Sequence, residues 1–411
     1  MPKISDRGEM MPNSPIRKLV PLAEQAAKKG LKVFKLNIGQ PDINTSPVAI
    51  NAIKALDSSV IDYGHSAGNE SLRKKFAGYY KSVNIDVKSD DILITTGASE
   101  AITLTLLTCL NAGDEIIVPE PFYANYFSFA TATDVVVVPI SAKIEDGFAL
   151  PSIKEFEEKI TSKTKAIIIC NPNNPTGYIY SKDELVQLKE LVLKYDLFLL
   201  SDEVYRELCY DGEQFTSIMN IEGIEQHVIL IDSVSKRYSA TGFRVGALVS
   251  KNKLLLETAL KFCQARLSPP YFGQLAAEAA LDSDQEYLDY VYNEFLERRN
   301  FIIPALNEIP GVYCPMPKGA FYCIARLPVD NAEEFAVWLL KEFNYNNQTV
   351  MLAPASGFYY NTDLGKQEVR IAYVLNIEEL KQAILCLTKA LEAYPGKKEN
   401  VISRKSLVIE R

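Results

Sequence analysis

Histidine is nearly absent from this chain: His65 and His227 are the only two among 411 residues. A histidine triad or a multi-histidine metal centre would need almost all of them, so neither that chemistry nor a metal site is expected. Cysteine is also sparse, with seven residues, an odd number, far apart and without a Cys-x-x-Cys pair. That spacing argues against a disulfide framework or a zinc site and for a reducing, cytoplasmic compartment, with the thiols acting as small buried hydrophobes. A basic surplus is missing too. Lys+Arg at 44 against Asp+Glu at 52 gives a net charge of -8, which leaves nothing to hold a nucleic-acid backbone. No apolar run approaches the roughly 18 residues of a membrane span. Even Ile102 to Leu110 is interrupted by Thr103, Thr105 and Thr108. Met1 to Lys18 carries scattered charges and prolines rather than the apolar stretch of an export signal. Neither a P-loop nor a G-x-G-x-x-G after a strand is present, which counts against nucleotide phosphoryl transfer and dinucleotide redox chemistry.

What is present is an ordinary globular composition, 47% apolar and 23% charged, in a chain long enough for two domains. Between about Ala98 and Ser250, short apolar runs alternate with helical patterns, the signature of βαβ units around a mainly parallel sheet. Ala166 to Ile169, Leu197 to Leu200 and Val228 to Ile231 are continuous apolar runs, as expected of central strands buried on both faces. Asp91 to Ile94 reads as a further strand, followed by a tight loop and a helix from Glu100 to Leu110. The texture changes near residue 285 to a long charged helix, Gln285 to Leu306, with short strands near Ala320–Ala325 and Glu368–Tyr373. The expected organisation is an α/β protein with four parts. Residues 1–46 form an N-terminal segment that packs with the smaller domain, with Leu36 to Gly39 as a short strand. Residues 47–290 form a large domain, residues 291–396 a smaller α+β domain, and residues 397–411 a loosely held tail.

Each central run ends in a polar cluster, and ligands of open parallel sheets sit beyond the carboxyl ends of the strands. Lys236 follows one such strand and precedes Arg244 by eight residues. A lysine partly desolvated beside another cation loses pKa, and its neutral amine can then form a Schiff base with an aldehyde such as pyridoxal. Asp202, at the end of another strand, is placed to hold a pyridine ring nitrogen protonated, although an Asp at a strand end is also a common helix cap. Tyr205 can reach a phenolic oxygen, or can simply be core. The loop Gly97-Ala98-Ser99 offers a helix N-terminus to an anion, and Ser233, Ser235 and Arg244 would add hydroxyls and a planar fork. Asn171 to Gly177 by itself reads only as a turn.

Taken together, Asn-Pro-Asn-Asn-Pro-Thr-Gly at 171–177, Asp-Glu-Val-Tyr at 202–205 and Ser-x-x-Lys at 233–236 with Arg244 resemble the class I and II aminotransferases of the aspartate aminotransferase type. The resemblance runs from about Gly39 to Arg370. It implies the fold type I architecture of pyridoxal-phosphate enzymes, with Lys236 as Schiff-base lysine and proton shuttle, Asp202 as ring-nitrogen partner and Tyr205 on the phenolic oxygen. It further implies a phosphate cup of Ala98, Ser99, Ser233 and Arg244, and Tyr123 stacked on the ring. Asn174 would be shared by cofactor and substrate, and Gly39 and Arg370 would bind the substrate α-carboxylate. Tyr63 would reach the phosphate of a neighbouring subunit in a homodimer. The implied substrates are an amino acid, aspartate first with aromatic or broad specificity as alternatives, and 2-oxoglutarate. A lysine that some aspartate-specific relatives use is replaced here by Ser99. The competing expectation is a carbon–sulfur lyase acting by β-elimination with the same lysine and aspartate.

Overall fold

The computed structural model describes residues 2–398. Among the described residues, twelve strands form three sheets. Strand β1 (Lys32–Lys35) comes first. The next seven are β2 (Ile92–Thr95), β3 (Glu115–Glu120), β4 (Val136–Ser141), β5 (Thr164–Cys170), β6 (Phe198–Asp202), β7 (Val228–Ser233) and β8 (Gly246–Val249). They make one sheet in the order β2-β8-β7-β6-β5-β3-β4, parallel throughout except that β8 runs against both of its neighbours. The apolar runs of β5, β6 and β7 lie side by side at its centre with nearly every residue buried, as continuous hydrophobicity predicts.

Helices cover the sheet because each presents one apolar stripe. In Lys182–Tyr195, Leu185, Leu188 and Val192 recur on one face and pack on Leu199 and Val228. Burying each such side chain contributes about 1.5–3 kcal/mol. Ser181 starts this helix with a reciprocal capping box to Glu184, and Asp196 ends it in the left-handed region at φ 51°. Among the described residues no helix is long and apolar enough to cross a membrane.

Strands β9 (Tyr322–Arg326), β10 (Gln348–Met351), β11 (Ala353–Pro354) and β12 (Glu368–Ala372) follow the long helix Gln285–Glu308. Here β9, β12 and β11 form an antiparallel sheet, while β10 pairs in parallel with β1. The N-terminal strand therefore joins the C-terminal elements, and Leu19 and Ala23 add to the same contact by packing on Ala336 and Leu340. The expected strand at Leu36 to Gly39 is a correction. The ladder occupies Lys32–Lys35, and the chain leaves it at Leu36, whose N–H still donates to Met351 O at 3.0 Å but whose carbonyl turns to accept from Ala372 N–H at 2.8 Å. Of the expected loose tail, Lys398 N–H donates to Pro328 O at 2.9 Å, and residues 399–411 lie outside the described residues.

Candidate active site

The register of the central strands brings their ends to one level. Cys170 on β5 is opposite Asp202 on β6, and Asp202 is opposite Ile231 on β7, two residues before Ser233. A cavity of about 830 Å³ opens there, between the large sheet and the strands that follow residue 320. Its charged lining residues are Arg17, Asp202, Lys236, Arg244 and Arg370.

Lys236 lies in the turn after β7, and its Nζ donates to Gly39 O at 3.0 Å. Burial, with Arg370 and then Arg244 adding positive charge, lowers its pKa to about 8, so a substantial share of the amine is neutral near physiological pH. Asp202 is fully buried, and its Oδ2 accepts from Tyr126 Oη at 2.8 Å. Burial pushes its pKa up to about 6 against the opposing Tyr126 hydrogen bond. Its Oδ1 is buried without a partner. A lone carboxylate oxygen facing a cavity is the acceptor that a protonated ring nitrogen requires.

The expected anion cup is assembled from three segments. Ser233 Oγ lies 2.8 Å from both Ser235 Oγ and Val245 O. The first turn of helix Gly97–Cys109 faces the same space with Ala98 and Ser99. Arg244 lies so close to Gly97 that a Cβ at residue 97 would stand 2.4 Å from its Nη2. With φ at +77°, Gly97 has both the conformation and the lack of a side chain that this approach demands. Tyr123 and Tyr205 both line the cavity. Tyr123 takes a hydrogen bond from Asn125 Nδ2 at 2.8 Å and has its pKa pushed up to about 12, chiefly by burial.

Arg370, on β12, is only 1% exposed. Its Nη1 donates to Asn174 Oδ1 at 3.1 Å and its Nη2 to Asn37 O. No carboxylate among the described residues pairs with it, and its Nε is unpartnered. A buried guanidinium without a counter-ion is a prepared carboxylate site, since an unpaired buried charge is otherwise costly. Gly39 is held beside it by the loop to Asp42, which pairs with Arg298 at 2.6 Å.

Twelve of the thirteen expected residues therefore line this one cavity: Gly39, Ala98, Ser99, Tyr123, Asn174, Asp202, Tyr205, Ser233, Ser235, Lys236, Arg244 and Arg370. Tyr63 does not line it and is 83% exposed in the single chain. Sequence reasoning missed Arg17, Tyr126 and Tyr322. Tyr126 carried a usable signal, a second tyrosine one helical turn after Tyr123 at a helix start. Arg17 and Tyr322 come from segments far from every recognised motif, and only the packing of the N-terminal segment and β9 delivers them. The donors and acceptors present fit pyridoxal phosphate: an amine for its aldehyde, a lone carboxylate oxygen for its ring nitrogen, a hydroxyl for its phenol and a cup for its phosphate.

Fold and site together define a group-transfer enzyme of the α/β class. The family model for aminotransferase class I and II matches residues 32–386. The chain is 31% identical over 395 residues to aspartate aminotransferase of Pyrococcus horikoshii, covering 95% of this chain and 97% of that one. It is 32% identical over 399 residues to aromatic-amino-acid aminotransferase 2 of Thermococcus litoralis, covering 95% and 98%. Among solved structures, alanine aminotransferase from Pyrococcus furiosus superposes with a TM-score of 0.86 at 32% identity, covering 94% of this chain and 99% of that one. The chain belongs to the class I and II aminotransferases, enzymes that transfer amino groups and, as a family, use pyridoxal phosphate.

Proposed function

We propose that this aminotransferase binds pyridoxal phosphate through Lys236 and exchanges the amino group of a dicarboxylic amino acid, aspartate first, with 2-oxoglutarate. The observation that carries the substrate reading is the charge balance of the cavity, four cations against one carboxylate. Arg244 is committed to the phosphate, Lys236 to the aldehyde and Arg370 to the α-carboxylate. Arg17 is left for a second carboxylate. Its neighbour Lys18 is paired with Glu333 at 2.7 Å, whereas Arg17 has no carboxylate partner among the described residues. Asn37 supports both ends of the arrangement, accepting from Arg370 on its carbonyl and donating its Nδ2 to Ile16 O at 2.7 Å. Pyridoxal phosphate, when bound, supplies an electron sink for charge developing at the substrate Cα. The chain's own residues do the rest. Asp202 keeps the ring nitrogen protonated, Tyr205 donates to the phenolic oxygen, Tyr123 covers one face of the ring, and the Lys236 amine carries the proton at Cα.

Within this reading, residues 47–290 serve as the cofactor-holding part. Residues 291–396, with residues 1–46 attached through β1 and β10, bring Arg370 and Arg17 to the substrate. A homodimer with shared sites gives Tyr63 its place: Tyr63, Val60, Ile61 and Phe272 are large side chains left exposed on the single chain. The seven free thiols favour a cytoplasmic setting.

Donor panels against 2-oxoglutarate test the proposal. Transfer from aspartate should depend strictly on the oxo acid, and release of a leaving group without it would favour β-elimination instead. Arg17→Gln should raise KM for aspartate and for 2-oxoglutarate by about 10- to 100-fold, the value of a charge-assisted pair, and leave the constant for tyrosine nearly unchanged. Equal constants for wild type and variant would remove Arg17 from substrate recognition. Arg370→Lys, by contrast, should raise KM for acidic and aromatic donors by similar factors, because a lysine cannot form the planar two-point pair with the α-carboxylate common to all. A loss confined to the acidic donor would show that Arg370 reads the side chain instead.

A further inference from the structure

We propose that Tyr322 is a positioning residue for the reaction, orienting the Tyr205 hydroxyl with its own hydroxyl and backing the Arg370 guanidinium with its ring. The inference rests on the roles assigned above to Tyr205 and Arg370. Tyr322 opens β9 and is 2% exposed. Its Oη lies 3.1 Å from Tyr205 Oη, the one hydrogen bond that the Tyr205 side chain makes among the described residues. The Arg370 Cζ lies 4.5 Å from the Tyr322 ring centroid, inside cation–π range.

Each hydroxyl has one hydrogen to give, so the pair must choose a direction. Burial raises the pKa of both hydroxyls, that of Tyr205 well above the ordinary tyrosine value with the Tyr322 contact adding to it, whereas at Tyr322 the positive charge of Arg370 opposes the rise and makes its proton the more readily shared. In the proposed arrangement Tyr322 donates and Tyr205 accepts across the 3.1 Å between the two hydroxyls. That leaves the Tyr205 hydrogen free to point at a phenolic oxygen. The other titratable groups facing the pair are Lys236, Asp202, Cys170 and Tyr123.

The packing around the Tyr322 hydroxyl shows how tightly its place is specified. A Cβ at residue 39 would stand 1.7 Å from it, so residue 39 is a glycine because Tyr322 passes directly over it. The carbonyl of the same Gly39 takes the Lys236 hydrogen bond at 3.0 Å. One tyrosine thus touches the phenol partner, the carboxylate binder and the loop that meets the lysine. A role in packing alone, through its edge contact with Tyr205 at 5.6 Å and its tilted contact with Phe321 at 4.8 Å, would be preserved by phenylalanine.

The test is a pH titration of the visible absorption of the lysine-bound cofactor in the holoenzyme. A hydrogen bond to the phenolic oxygen favours its anionic form and lowers the titration midpoint, so weakening the Tyr205 donation raises it. Tyr322→Phe should raise the midpoint by about 0.5 to 1 unit, the size of one neutral hydrogen bond, with KM for amino donors within about twofold of wild type. Tyr322→Leu, which also removes the ring, should show the same midpoint and raise KM for acidic and aromatic donors alike by about tenfold. Gly39→Ala should reproduce the midpoint shift, and combining it with Tyr322→Phe should add little. An unchanged midpoint in Tyr322→Phe overturns the proposal while leaving Lys236 and Tyr205 in place. A wild-type holoenzyme without a titrating lysine-bound band overturns the underlying site reading as well.

Discussion

Replacing Lys236 by alanine is expected to reduce turnover by at least about five orders of magnitude, roughly 7 kcal/mol of barrier. The size follows from two tasks on one atom. In the proposed function the Nζ would hold the cofactor, and the same neutral amine would take and return the proton at the substrate Cα. Its setting suits both tasks, since burial beside Arg370 and Arg244 brings its pKa down to about 8. The phosphate cup and Asp202 are untouched by the change, so pyridoxal phosphate should still bind without a covalent link. Borohydride treatment would then fix cofactor to the wild-type chain and not to Lys236→Ala. A variant that kept both the reducible link and near-normal rates would show that another amine does this work.

The second large effect concerns Asp202. Asp202→Asn keeps the shape and removes the charge that, in the proposed function, would hold the ring nitrogen protonated, and the half-reaction with amino acid should slow by about three orders of magnitude, roughly 4 kcal/mol. A loss below about tenfold would take Asp202 out of the mechanism. The apoprotein should respond in the opposite sense. Burial raises the Asp202 pKa from 3.8 to about 6, so the folded chain holds this proton more tightly than the unfolded chain. The stability contributed by the protonated acid is fully present below pH 4 and is lost as pH rises through about 6. At pH 7 to 8 the wild-type apoprotein therefore carries a buried charge that the asparagine variant lacks. Asp202→Asn apoprotein should be more stable there by on the order of 1–3 kcal/mol, with the difference vanishing towards pH 4. Thermal melts of cofactor-free protein at these two pH values decide it, and equal stability throughout would mean that Asp202 is not destabilised by burial. Loss of rate with gain of apoprotein stability is the mark of a carboxylate kept for function.

The sheet centre was legible because Ala166–Ile169, Leu197–Leu200 and Val228–Ile231 are apolar at every position, a pattern available only to strands covered on both faces. Their polar ends could then be placed in one crevice without further information, and Asp202, Ser233 and Lys236 do meet there. Strand β1 was misplaced by a few residues because Lys32–Lys35 is a short, half-exposed edge whose partner, β10, lies more than 300 residues away in the chain. Nothing local to either segment specifies that pairing.

The sequence by itself determined the class of chemistry, because a lysine, an aspartate and an arginine at fixed offsets from buried strands are local features, set by strand ends and tight turns. The tertiary structure alone decided what surrounds them. Arg17 reaches the cavity only because Asn37 holds the N-terminal segment against Arg370, and Tyr322 meets Tyr205 only because β9 pairs with β12. Such contacts join residues with no sequence relation to each other. Their energies depend on burial and on the direction of single hydrogen bonds, which are properties of the packed cavity rather than of any segment lining it.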